Sequence, residues 1–220
     1  LLDWLASELI ANGWRLKPLH KKIIMSATYR QSAAYSAAKM KADPQNKLNW
    51  RRTPRRLEAE AIRDSLLKVS GLLDPRMHGP GTLDERMKRR SIYFMIKRSK
   101  LIPSMQLFDS PEPLVSQGNR PATIIAPQAL MFMNNAQVRE AALALATQFE
   151  KLPDNTTAVN QGYQTVIGRK PNAIEIKSIS TFIDTQEESY QTAGRNNARK
   201  LALADMAQVL FGLNEFIYVP

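Results

Sequence analysis

The side chains best suited to chemistry fall in and around one stretch, Arg86 to Asn134. Between Arg86 and Lys100 there are seven Lys or Arg residues and no carboxylate. Arg90, Arg98 and Arg120 are planar, fork-shaped donors that match carboxylate, sulfate or phosphate. Tyr93 alternates with Ile92 and Phe94 as on a strand, which turns its ring toward neighbouring polar groups. Asp109, in Phe108-Asp109-Ser110-Pro111, reads as a turn-capping acceptor or as the internal partner of one of the arginines. Gln128 and Asn134 are amides at the two ends of one helical piece, able to hydrogen-bond a ligand. Upstream, Arg56, Glu60, Arg63 and Asp64 are three or four residues apart, as on one helix face. Glu60 with Asp64 could hold a metal or act as acid and base. The interleaved arginines favour a salt-bridge ladder instead. Two readings follow for the central stretch. One is a cleft for an anionic or polyhydroxylated ligand. The other is an arginine–aspartate–backbone network that clamps a long loop onto helices, because buried charges must be paired.

Composition narrows the chemistry. The absence of cysteine removes disulfides, thiolate metal sites, thiol nucleophiles and covalent haem attachment. The two histidines, His20 and His78, have no second ligand at metal spacing, so no metal site is expected. Gly79-Pro80-Gly81 lacks the spacing of a phosphate-binding loop, and no Gly-x-Ser-x-Gly nucleophile turn is present. Carboxylates are left as the only catalytic candidates, and they sit among arginines. The formal charge of +11 favours anionic partners. Nucleic acid is the weaker of these, since no helix-turn-helix, zinc or stacking motif accompanies the basic stretch. Met87, Met95, Met105, Met131 and Met133 read as adaptable core filling rather than haem ligands. No run approaches the roughly 18 apolar residues of a membrane-spanning helix.

The elements that must position these groups are helices. Leu2, Leu5, Leu9 and Ile10 form one face of a first helix that stops at Asn12-Gly13. Leu19, Ile23, Ile24 and Ala27 continue on a second, joined closely enough to pack antiparallel. A short third helix falls within Ala33 to Ala42. Thr53 as N-cap with Pro54 at the first helical position predicts a helix buried through Leu57, Ala61, Ile62, Leu66 and Val69 and ended by Gly71. After a loop, strands are expected near Ile92–Ile96 and Ala122–Ala126. Helices then start at Pro127, break at Asn134-Asn135, restart near Asp154, end at Gly168, and resume at Pro171 and about Arg195. The fold class is mainly α: a compact helical domain with a long irregular central loop and at most two or three short strands. It divides as N-terminal helices over 1–73, a basic strand and loop region over 74–134, and C-terminal helices over 135–220. The start at Leu1, already in helical pattern, reads as a domain cut from a longer parent.

Several blocks carry a family resemblance. They are Leu2-Asp3-Trp4-Leu5-Ala6, Ser26 to Ser32 (SATYRQS), Arg56 to Asp64 (RLEAEAIRD) and Arg90-Ser91-Ile92-Tyr93. Phe108-Asp109-x-Pro111, Thr123, Pro127-Gln128-Ala129-Leu130 and Asn214-Glu215-Phe216-x-Tyr218-Val219 follow in order. Together they resemble the planctomycete-specific C-terminal domain of unknown function. The resemblance implies a place at the end of large exported proteins, periplasmic or extracellular, that often carry a cytochrome c-type segment. Haem would then belong to the parent and no cofactor to this chain. It brings no catalytic residue. The expected function is non-catalytic binding or assembly, with neighbouring domains of the parent or with a polysaccharide or other anionic ligand. A carboxylate-dependent polysaccharide enzyme acting within the full-length protein is the alternative, and nucleic-acid binding through the basic stretch the second.

Overall fold

The computed structural model describes residues 1–219, and the chain divides into two compact units, 1–55 and 56–219. The chain is mainly α. The first unit holds α1 (Leu2–Ala11), α2 (Leu16–Met25) and α3 (Ala37–Ala42). α1 and α2 pack on each other across the expected Asn12-Gly13 stop. Lys22 pairs with Glu8 and lies over the Trp4 ring. In the segment after α3, the Asp43 carboxylate accepts the Lys47 and Leu48 N–H groups at 3.0 and 2.8 Å, and Arg51 stacks on Trp50.

β1 (Arg55–Arg56) lies at the division between the units, and the second unit continues into α4 (Ala59–Val69). A 3-10 turn spans Ser91–Tyr93, α5 spans Pro103–Leu107 and α6 Ala126–Asn134. The C-terminal part is α7 (Ala136–Phe149), α8 (Asn155–Gly162) running into a π-helical turn (Tyr163–Ile167), α9 (Ala173–Thr192), α10 (Ala198–Phe211) and α11 (Asn214–Ile217). The last two described residues form β2 (Tyr218–Val219), which is paired with β1.

α10 packs against both α7 and α9 and is the centre of the core. The runs AALALA in α7 and LALADMA in α10 put small residues at the contact, and Ala141, Ala142, Ala202 and Ala207 are fully buried there. Small side chains let the helix axes approach, while Leu145, Phe149, Met206 and Leu210 fill the remaining volume. The core reaches the central region through a run of rings: Phe211 to Phe216, tilted, at 5.4 Å, then Phe216 to Phe132 at 6.2 Å and Phe132 to Phe108 at 5.9 Å, both edge to face. Helix starts follow their local chemistry. Asn135 caps α7, Asp154 accepts the Thr157 N–H at 2.7 Å, and Asn172 with Glu175 forms a capping box on α9. Gly168 ends the π turn at φ +81°, in the left-handed region that glycine enters without strain.

Three sequence expectations fail for identifiable reasons. The helix does not start at Thr53-Pro54: Arg56 is in a strand and the Leu57 N–H bonds the Ile217 carbonyl at 2.8 Å, so helix begins only after Glu58. No strand forms over 92–96. The Ser91 N–H is taken by the Asp64 carboxylate at 2.7 Å, which starts a tight turn, and only a single bridge, Thr82 to Phe94, remains. No strand forms over 122–126 either. Pro121 has no donor and the Thr123 N–H goes to Asp109 at 2.8 Å.

Candidate functional site

The geometry is set by α4 and the residue just ahead of it. Arg56 lies before the helix, and its guanidinium bonds the Asp109 carboxylate at 2.6 Å, the Thr123 carbonyl at 3.0 Å and the Phe108 carbonyl at 3.3 Å. Asp109 adopts φ +59°, a left-handed position that Asp tolerates better than most residues. Its carboxylate also accepts the Thr123 N–H and hydroxyl, both at 2.8 Å. Gln128 is buried; its amide donates to the Leu107 and Thr123 carbonyls at 3.0 and 3.2 Å. These four side chains close the base of the loop between Asp109 and Thr123. Burial pushes the Asp109 carboxyl up, but hydrogen bonds from Thr123 and Arg56 outweigh it and hold the group below its usual range.

One turn further along α4, Arg63 is buried. It donates to the Arg89 carbonyl at 3.0 Å, the Ser91 hydroxyl at 3.2 Å and the Met87 carbonyl, with its guanidinium 4.6 Å from the centre of the Phe94 ring. Burial pushes its pKa down, against the attraction of Asp64 and Glu85. Asp64 accepts the Ser91 N–H and hydroxyl, each at 2.7 Å, and lies 3.6 Å from Arg90. Tyr93 secures the preceding loop. Its hydroxyl accepts the His78 N–H at 2.7 Å, and the Arg89 guanidinium stacks 3.5 Å from its ring centre. Gly81 passes against the same turn, where a Cβ would meet the Tyr93 carbonyl at 3.1 Å, so its lack of a side chain serves packing.

The expected salt-bridge ladder along α4 does not exist. Arg56, Glu60, Arg63 and Asp64 do not pair in register along one face; they reach separately to residues 85–91, 108–109, 120 and 123. Glu60 takes Arg120 in a two-point contact at 2.7 and 3.1 Å, with Glu58 3.2 Å away on the same guanidinium. Burial raises the Glu60 carboxyl, but Arg120 and a backbone hydrogen bond leave it below its ordinary value.

Between α4, the 90–102 segment, α5 and the loop after Asp109 lies a cleft of about 520 Å³. Its lining includes the apolar Ala61, Phe94, Ile102 and Met105, the carboxylates Glu58, Glu60, Asp64 and Glu112, and the cations Arg90, Lys97, Lys100 and Arg120. Among the described residues, no group of three or more His, Cys, Asp or Glu side chains is placed to hold a metal ion.

The structure thus sorts the candidates. Arg90, Arg120 and Glu60 line the cleft; Arg56, Arg63, Tyr93, Asp109 and Gln128 are committed to holding loops. Asn134 is exposed at the end of α6, outside the cleft lining. Arg98 is exposed at the tip of a tight turn closed by the Lys97–Lys100 bridge. Of the seven cations between Arg86 and Lys100, Lys88 pairs with Glu140, Arg89 stacks on Tyr93 and Arg90 approaches Asp64. Arg86, Lys97, Arg98 and Lys100 are exposed. Lys97 and Lys100 also line the cleft and were not among the expected site residues; the close Lys-Arg-Ser-Lys spacing is the one sequence signal of a turn presenting cations. Of the methionines expected to fill the core, Met105 is buried, whereas Met95 and Met133 are exposed.

No curated protein and no solved structure matches the chain. Residues 1–183, which include α4 and the whole cleft, match the family described as "Protein of unknown function (DUF1553)", and the chain belongs to that family.

Proposed function

We propose that the chain is a non-catalytic binding domain of an exported multidomain protein, and that its cleft takes an acidic polysaccharide. The observation that carries the reading is the pair Lys97 and Lys100. They stand exposed at a cleft whose other cations are already engaged by carboxylates, and whose lining includes the apolar Phe94, Ile102 and Met105, against which a sugar ring can pack. A cation that makes no internal contact is free to meet a carboxylate or sulfate, with the modest strength and strong salt dependence of an exposed ion pair. Export, planctomycete origin and a cytochrome c-type segment in the parent rest on the resemblance of the sequence blocks.

The competing enzymatic reading would use Glu60 and Asp64, carboxylates in the cleft lining. A general acid needs a raised pKa. Arg120 pushes Glu60 the other way, which favours binding over bond cleavage. The test is affinity electrophoresis of the chain in polygalacturonate and in the same polymer reduced to the neutral sugar. Retardation by the acidic polymer alone, weakening with salt, is expected. Equal retardation by both polymers, or none by either, would sink the proposal.

A further inference from the structure

We propose that the N-terminal helical pair is a docking surface for an acidic amphipathic helix of a partner protein. None of residues 1–55 is buried. Two helices alone cannot enclose a core, because each has one neighbour and leaves apolar surface outside the pair. α1 keeps Leu2, Ala6 and Ile10 exposed at four-residue spacing, and α2 keeps Leu16, Ile23 and Ile24 exposed. Trp14, in the turn joining the helices, is 71% exposed and held at φ +61°, an uncommon backbone setting for a bulky side chain. Apolar stripes at this spacing are what a third helix packs into.

The charge of the unit identifies which kind of helix. Residues 1–55 hold eleven Lys or Arg against three Asp or Glu, and on the two helices and their joining turn, 1–25, Arg15, Lys17, Lys21 and Lys22 stand against Asp3 and Glu8. On and beside α2, Arg15, Lys17 and Lys21 are exposed next to the apolar stripe. A second copy of this unit would bring like charges together, so self-association is disfavoured. An anionic lipid surface would also be attracted, but α1 presents Asp3 among its exposed residues, and exposed Tyr29, Tyr35 and Leu48 lie outside both helices. Interfacial lipid binding segregates apolar and basic residues on opposite faces of one helix. The scattered arrangement fits a protein partner that brings both Leu-type residues and carboxylates.

The three tryptophans of the chain, Trp4, Trp14 and Trp50, all lie in this unit, so selectively excited tryptophan fluorescence reports on it alone. The probe is a synthetic helix with leucines at the first and fourth heptad positions and glutamates elsewhere, titrated into the full chain. A blue shift and saturable binding are expected. Lys17→Glu with Lys21→Glu should weaken that binding at least about tenfold, and a lysine-for-glutamate version of the peptide should then bind the variant, which a misfolded protein could not do. Lys97→Glu with Lys100→Glu, in the other unit, should leave the titration unchanged. The proposal is overturned by equal binding of a glutamine-for-glutamate peptide, by absence of binding, or by self-association without peptide. A response only to vesicles of phosphatidylcholine and phosphatidylglycerol would likewise assign the surface to lipid and overturn it.

Discussion

The helices α7, α9 and α10 and the irregular segment between Asp74 and Ile125 are held together by opposite means. In the helices, backbone polar groups satisfy one another internally, so side chains are free to be apolar, and Ala, Leu and Phe do the packing. In the irregular segment backbone donors reach only some of the carbonyls, through turns, short helical pieces and isolated bridges such as Thr82–Phe94. Arg56 and Arg63 supply donors to others, binding the carbonyls of residues 87, 89, 108 and 123. A guanidinium carries five donors in a rigid plane and can satisfy several carbonyls at once. Arginine therefore has a structural job here that a helix would not require. Charge in such a segment is not by itself a sign of a ligand.

The contrast can be broken at either end. Phe211→Ala removes a fully buried ring from the helical core and should cost about 4 kcal/mol, lowering the denaturant midpoint of the second unit as a whole. Arg63→Met keeps the volume but strands several carbonyls, and should cost about 3 kcal/mol. Its signature is local: amide exchange should accelerate around residues 87–93 before global unfolding. Uniform acceleration across α7 and α10 would mean that Arg63 belongs to the core after all. Asp109→Asn should cost about 1–2 kcal/mol, since the amide keeps an acceptor but loses the charge facing Arg56. The Asp109 carboxyl is depressed in the folded protein, so its stabilisation is complete above the ordinary carboxylate range and is lost as the pH falls through its folded value. The Asn variant should accordingly show a flatter decline of stability in acid. The smallest effect is expected at Glu175, held down to about 2 by Arg169 and the Asn172 N–H. That pair is only partly buried and solvent screens it, so Glu175→Gln should cost less than about 1 kcal/mol despite the strongly shifted group.

How much of this was legible beforehand follows the same division. Apolar periodicity, caps and glycine stops announce helices, and the break at Asn134-Asn135, the Asp154 cap and the Gly168 stop all lie where the sequence places them. Patterning failed where a side chain took over a backbone bond. Asp64 captured the Ser91 N–H and Asp109 the Thr123 N–H, each turning an expected strand into something irregular. Neighbours on α4 looked like a ladder because spacing along a helix is visible in sequence, whereas partners 22 to 67 residues away are not. Arg56, which holds the loop base, and Arg120, which lines the cleft, carry nothing local in the sequence that separates them. The two lysines at the cleft were missed because they lie in a turn whose only mark in the sequence is the close Lys-Arg-Ser-Lys spacing.

The account stands on that separation between cations that hold the loop and cations that face outward. A binding isotherm for polygalacturonate with wild-type chain and with Lys97→Ala/Lys100→Ala, each accompanied by a thermal melt, tests it most directly. The account predicts binding weakened about tenfold, equivalent to about 1.4 kcal/mol, with an unchanged melting temperature. Unchanged binding, or a loss of binding accompanied by a lower melting temperature, would contradict it.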